Sequence, residues 1–327
     1  MRVPEKMQVF LVAVARKLIR TAMVLMGVLT LVFVVVRAVP GDPAVSILGE
    51  QAPPEELARL RQQMGLTLPL HEQFGRYLGD VFDGSLGRPY SRVHKDATVS
   101  SLIAEVFPFT LELALTSVLL AALFAIPLGL LAAMRRNGPL DHASLMVTLL
   151  GIAMPGFWLG PLLIYLFAVV WKVVPDPGAG VQGFSTLVLP AFVLGLALSA
   201  KLTRMVRSSV LDVLQQPYVL AARSRGLPAR RIILRHVLRN AMIPVVTVLG
   251  MQFAALLSGA IITEKVFARP GIGTLLLQGI ASRDYAIVQG TALFIGLIYV
   301  GVNLVVDLLY MAVDPRIAHT FAAGRRP

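Results

Sequence analysis

Six stretches of this chain are apolar over the length needed to cross a lipid bilayer, and that pattern constrains the fold before any single motif does. Hydrocarbon offers no partner to backbone N–H and C=O groups, so a spanning segment must satisfy them internally, as a helix does. At about 1.5 Å per residue a crossing needs roughly 20 apolar residues. The stretches run near Leu18–Val36, Phe109–Met134, Ala143–Trp171, Thr186–Ala200, Ala241–Thr263 and Val288–Val313. The third is long enough to tilt or to bend at Pro155 and Pro161, and the fourth continues past Lys201. With 56% of its residues hydrophobic and 15% charged, the chain has too little polar surface to clothe a water-soluble domain. The first stretch exceeds the apolar core of a signal peptide, usually ~7–15 residues, and Arg37-Ala-Val-Pro40 is a poor cleavage site, so it reads as a retained span. The expectation is an all-α integral membrane protein with one transmembrane domain over 1–327.

Sidedness follows from the cations. Nineteen of the thirty Lys and Arg residues fall in the amino-terminal tail to Arg20, at Arg135 and Arg136, in 201–240 and in the carboxy-terminal tail. The intervening polar segments 38–104, 172–184 and 264–287 hold few. The positive-inside bias therefore predicts cytoplasmic tails at 1–17 and 314–327 and a cytoplasmic segment at 201–240, with 38–104 and 264–287 outside. Six crossings require both termini on the same side, which agrees. Apolar patterning in Glu55–Met64 and Leu70–Phe82 predicts short helices resting on the outer interface.

Several chemistries are excluded. There is no cysteine, the histidines at 71, 94, 142, 236 and 319 lack zinc spacing, and neither HExxH nor a phosphate-binding GxxxxGK[ST] occurs. No metal site, cofactor site or catalytic cluster is predicted, and the chain carries no ATP-hydrolysing loop. The net charge of +12 does not imply nucleic acid, because no aromatic residues are interleaved among the cations to stack on bases. Lipid phosphates are the expected neighbours of the inner cations.

Residues 221–244 carry six arginines, one histidine and no acid. Pro217 suits the first turn of a helix and Gly226 the left-handed position past a helix end, so Tyr218–Arg225 reads as a short, sharply terminated helix. Pro228 opens a second helix, in which Arg231, Arg235 and Arg239 recur every fourth residue as a cationic stripe with Ile233 and Val237 opposite. Ala221 and Ala222 give the short helix a nearly bare face. A stub of about two turns is not stable alone in water and needs a support.

Tyr218-Val-Leu-Ala-Ala-Arg-Ser-Arg-Gly226-Leu227, followed by His236-Val-Leu-Arg-Asn240 and Pro244, resembles the cytoplasmic "EAA" loop of ABC-importer permeases, in its dipeptide, oligopeptide and nickel branch and of the first-permease type. The resemblance covers almost the whole chain. It includes, in order, Val39-Pro-Gly-Asp-Pro43, Met64-Gly-Leu-Thr-Leu-Pro-Leu70, Gly84-Ser-Leu-Gly87, Phe109-Thr-Leu-Glu-Leu113, Met154-Pro-Gly-Phe-Trp158, Glu264-Lys-Val-Phe-Ala-Arg-Pro-Gly-Ile-Gly273, Arg283-Asp-Tyr285 and 307–316. One departure stands out: Leu220 occupies the place of the motif's leading Glu, so no salt bridge from that position is carried over. The resemblance implies a coupling helix seated in a groove of a separate ATPase subunit, with Ala221, Ala222, Arg223, Arg225, Gly226 and Leu227 at the contact. It also implies a homologous second permease, two ATPases that hold ATP and Mg, an extracytoplasmic substrate-binding protein, and a place in the bacterial cytoplasmic (inner) membrane. The cargo it suggests is a small peptide, with nickel or another small ligand as the alternative.

Other residues have two readings. Glu112 near the outer end of the second span is an interfacial acid bonded to a neighbour or a ligand for cargo, and Asp307, one turn past Asn303, is a polar contact or a functional acid. Pro108, Pro127, Pro155, Pro161, Pro190 and Pro244 can bend spans. Met154, Pro155 and Phe157 are pathway or gate candidates beside Glu112, against a packing kink. Phe267–Gly273 is a glycine turn or, by resemblance, a surface for the binding protein through Arg269, Pro270, Gly271 and Gly273. An ion-gradient-driven transporter would carry paired intramembrane acids and repeated broken spans, and a membrane enzyme a polar cluster at one depth; the sequence displays neither pattern.

Overall fold

The computed structural model describes residues 5–90, 97–178 and 183–313. The tail 314–327 and the side chain of Asp307 lie outside the described residues. Every regular element among those described is helical. Helix α1 (Glu5–Ala38) is followed by three short helices in the polar segment, α2 (Pro43–Leu48), α3 (Pro54–Gln63) and α4 (Leu70–Phe82). Proline opens each of them, at the first turn of α2 and α3 and at Pro69 just before α4, where a missing N–H costs nothing. The Asp42 carboxylate accepts from the N–H of Ala44 and caps α2, a helix that the Asp-Pro pair announces and that periodicity passed over.

The chain continues through α5 (Val99–Met134), α6 (Pro139–Ala153), α7 (Gly156–Ile164), α8 (Phe184–Leu214), α9 (Pro217–Ser224), α10 (Ala229–Arg231), α11 (Leu238–Leu257), α12 (Ile261–Val266), α13 (Ile272–Ser282) and α14 (Tyr285–Val313). π-helical turns at Tyr165–Val170 and Ile232–Val237 extend α7 and join α10 to α11. Among the described residues, five helices are long and apolar enough to cross a membrane: Val14–Ala38, Val99–Met134, Phe184–Leu214, Ala229–Leu257 and Tyr285–Val306.

Two expectations are corrected. The third stretch, Ala143–Trp171, is not one bent helix. It breaks at Met154-Pro155, where Pro155 takes an extended ψ of 134° and starts α7, because its ring excludes the helical conformation from the residue before it. The fifth stretch stops at Leu257 rather than Thr263, since Gly259 turns left-handed at φ 109°, and it begins earlier, at Ala229. The fourth does run on past Lys201, to Leu214.

The chain divides into two compact units, Met1–Thr110 with Pro270–Pro327, and Leu111–Arg269. In the first, α1 packs along α14 and α13 packs on α14. Leu29, Phe33, Tyr77 and Leu293 bury one cluster, while Val99, Leu102, Ile103, Leu275 and Ile287 bury another.

In the second unit α8 is the central element and touches α6, α7 and α11. The α5–α8 contact is made by small residues. Ala121, Ala125 and Ala133 are buried in the main cluster, and Gly129, at the fourth-residue interval between them, brings the backbones together. A Cβ at Gly129 would stand 2.7 Å from the Thr203 carbonyl oxygen and 2.7 Å from Val206 Cβ. Leu119 and Leu123 of the same helix are exposed. Lipid tails are as apolar as leucine, so in a bilayer close backbone packing, not hydrophobicity, selects the contact face.

Candidate functional site

The short helix α9 is held on one side and free on the other. Val219 is fully buried and Ala222 is 8% exposed, both within the cluster that α5, α8 and α11 share, and Leu227 packs against that cluster from the turn. A polar tie supplements this anchor: Asn240 Nδ2 donates to Tyr218 Oη at 2.6 Å and to the His236 carbonyl at 3.2 Å. The opposite face, with Leu220 half exposed and Ala221, Arg223 and Arg225 exposed, is open. Gly226 adopts φ 73° with empty space where a Cβ would sit, so the demand for glycine there is conformational.

Two sequence readings change in detail. Of the two alanines taken as a bare face, Ala221 points outward and Ala222 inward. The arginines 231, 235 and 239 are exposed, but the buried side opposite them is Ile232, Val237, Ala241 and Val245. The first of those intervals is five residues because the π turn inserts one; after it the spacing returns to four. An α-helical period alone could not find this register.

Behind the anchor lies an ion pair that the sequence reading missed. Asp141, in the first turn of α6, is 1% exposed and accepts from Arg207 Nε and Nη2 of α8, each at 2.7 Å. Its carboxyl also accepts from the N–H of Asn137 at 2.9 Å. The available signal is a lone acid two residues after Pro139, just ahead of the third apolar stretch, while Arg207 is one of nine cations in 201–240.

Elsewhere in this unit Glu112 receives a hydrogen bond from Arg269 Nη2 at 2.5 Å, with the arginine side chain 7% exposed and the glutamate half exposed. A pathway candidate and a binding-protein-facing candidate therefore meet. Met154 and Phe157 are exposed at the α6–α7 break, beside Pro155. In the first unit, the stretch after Pro270 is a helix start rather than an open loop: Gly271 N–H donates to Thr274 Oγ1 at 2.9 Å, Ile272 N–H donates to Thr110 Oγ1, and Gly273 is buried.

The sequence profile of the family described as binding-protein-dependent transport system inner membrane component matches residues 125–319, and that of its amino-terminal region matches residues 7–114. The chain belongs to this family. It is a multi-pass inner-membrane permease of a binding-protein-dependent ABC importer, which works with an ATPase and a substrate-binding protein. The permease is 41% identical over 306 residues to the glutathione transport system permease protein GsiC of Salmonella paratyphi A, covering 94% of this chain and 98% of that protein. It is 39% identical to GsiC of Escherichia coli K12 over the same shares of each chain. These relatives are permease subunits, not enzymes. In fold it resembles a crystal structure of the MetNI methionine ABC transporter in an inward-facing conformation, with a TM-score of 0.53 at 18% identity, over 65% of this chain and 97% of that one.

Proposed function

We propose that this permease forms half of a translocation pathway with a homologous second permease, and that α9 is the handle by which one of two ATPase subunits moves it. The observation that carries this reading is the two-sidedness of α9. Val219 and Ala222 fasten it to the helices of its own unit, while Leu220 and Ala221 leave a small apolar face for a groove on a partner. A helix fastened on one side and gripped on the other transmits rigid-body motion when the partner closes on ATP. Arg223 and Arg225 flank the grip, and Gly226 with Leu227 sets the exit from it.

In this reading the chain crosses the membrane six times. The broken pair α6–α7 makes the third crossing, both termini lie in the cytoplasm, and α2–α4 rest on the outer side. The chain is a single transmembrane permease domain that breaks no bond, with ATP and Mg bound by its partners. Alternating access follows from coupling: ATP binding closes the ATPases and opens the bundle outward, and hydrolysis resets it. Exposed Met154 and Phe157 at the α6–α7 break are the gate candidates. Small peptides are the cargo, and the glutathione named for the relatives supports that class over nickel.

The test is reconstitution of the complete complex in liposomes with its loaded binding protein. ATP-driven uptake of a labelled peptide that disappears in Leu220→Asp, with the protein still inserted, supports the assignment. Uptake driven by a proton gradient with no ATPase bound would overturn it.

A further inference from the structure

The first unit contains a polar cavity of about 300 Å³ that the transport cycle described above does not use. It lies where α1 ends, between α4, the segment from Leu86 to Tyr90 and the start of α14. Two buried polar atoms on its lining side chains have no hydrogen-bond partner, the Tyr77 hydroxyl and Gln289 Nε2, in residues each 5% exposed. Buried donors are almost always paired, and two orphans in one cavity point to an occupant.

The remaining lining says which kind. Arg37, Arg76, Tyr90 and Tyr285 add cations and hydroxyls, and Asp80 is the single acid. Gln73 is already engaged: its Oε1 receives Arg37 Nε at 2.8 Å and its amide donates to the Leu68 carbonyl. The Arg37 guanidinium is fixed at the cavity wall: it lies over the Phe33 ring at 3.6 Å and donates from Nη1 to the Phe33 carbonyl at 3.3 Å. Burial pushes the Tyr77 phenol up to about 12, which keeps it a donor at any physiological pH. Donors exceed acceptors and cations exceed acids, an arrangement that water can fill but that a planar or tetrahedral oxyanion satisfies better.

We infer that this cavity binds one small oxyanion, a carboxylate or a phosphate, held by Arg37, Arg76, Tyr77 and Gln289. The carboxylate would come from a small peptide and the phosphate from a lipid headgroup. Either would sit within the first unit.

The experiment uses the full-length chain in neutral detergent, without ATPases, and measures its melting temperature against four probes: alanyl-alanine, its carboxy-terminal amide, inorganic phosphate and phosphatidylglycerol. A saturable rise with alanyl-alanine and none with the amide identifies a peptide carboxylate. A rise with phosphatidylglycerol or phosphate identifies a phosphate group. In either case Tyr77→Phe and Arg76→Gln weaken the apparent affinity at least tenfold. Tyr77→Phe melts no lower than the parent without probe, because the deleted hydroxyl has no partner to lose. No saturable rise with any probe, or equal rises in parent and both variants, would overturn the inference. So would a Tyr77→Phe protein that melts well below the parent in the absence of anion.

Discussion

Asp141 and Arg207 join the start of α6 to the carboxy-terminal third of α8 through two parallel N–H···O bonds of 2.7 Å, with Asp141 1% exposed. The fork of the guanidinium matches the carboxylate edge, so the pair fixes orientation as well as distance. Asp141→Asn leaves Arg207 facing a neutral amide. We expect it to cost on the order of 3 kcal/mol, as for breaking a largely buried pair, read as a lowered melting temperature in detergent. Asp141→Asn with Arg207→Gln should cost less than the sum of the single changes.

Gly129 tests the close approach of α5 and α8. Even alanine there would put a Cβ 2.7 Å from the Thr203 carbonyl, so the helices must part. We expect Gly129→Ala to destabilise by about 1–3 kcal/mol, the usual cost of overpacking. Gly79→Ala in α4 meets nothing within 4 Å and should be neutral or stabilising by up to about 1 kcal/mol through helix propensity alone.

The coupling assignment separates by face. Leu220→Asp alters an exposed position and should leave the melting temperature within about 0.5 kcal/mol of the parent while abolishing stimulation of the ATPases by loaded binding protein. Ala222→Glu forces a charge into the chain's own core and should lower the melting temperature as well. Gly226→Pro cannot reach φ 73° and should detach the end of α9 from its support. Paired thermal and ATPase measurements distinguish the three.

Glu112 and Arg269 should be energetically coupled. Because the glutamate is half exposed, Glu112→Gln should cost only about 1 kcal/mol, and the effect of Arg269→Gln should be larger, since its side chain is 7% exposed and packed. A double-mutant cycle read by melting temperature gives the coupling.

Much of this molecule was legible along the chain because local chemistry decides it. Runs of apolar residues must become helices in hydrocarbon, Pro217 and Gly226 bracket α9 through fixed backbone preferences, and the ordered motifs identify the family. Tertiary packing decided the rest. It alone determined that the π turn at Ile232–Val237 changes which residues face inward, and that Ala222 belongs to the core while Leu220 does not. It alone brought Asp141 to Arg207, Glu112 to Arg269, and Tyr77 to Gln289 around one cavity. The physical reason is range: backbone preference acts over a few residues, whereas these partners lie on separate elements, and only the folded chain sets the distances that make them interact.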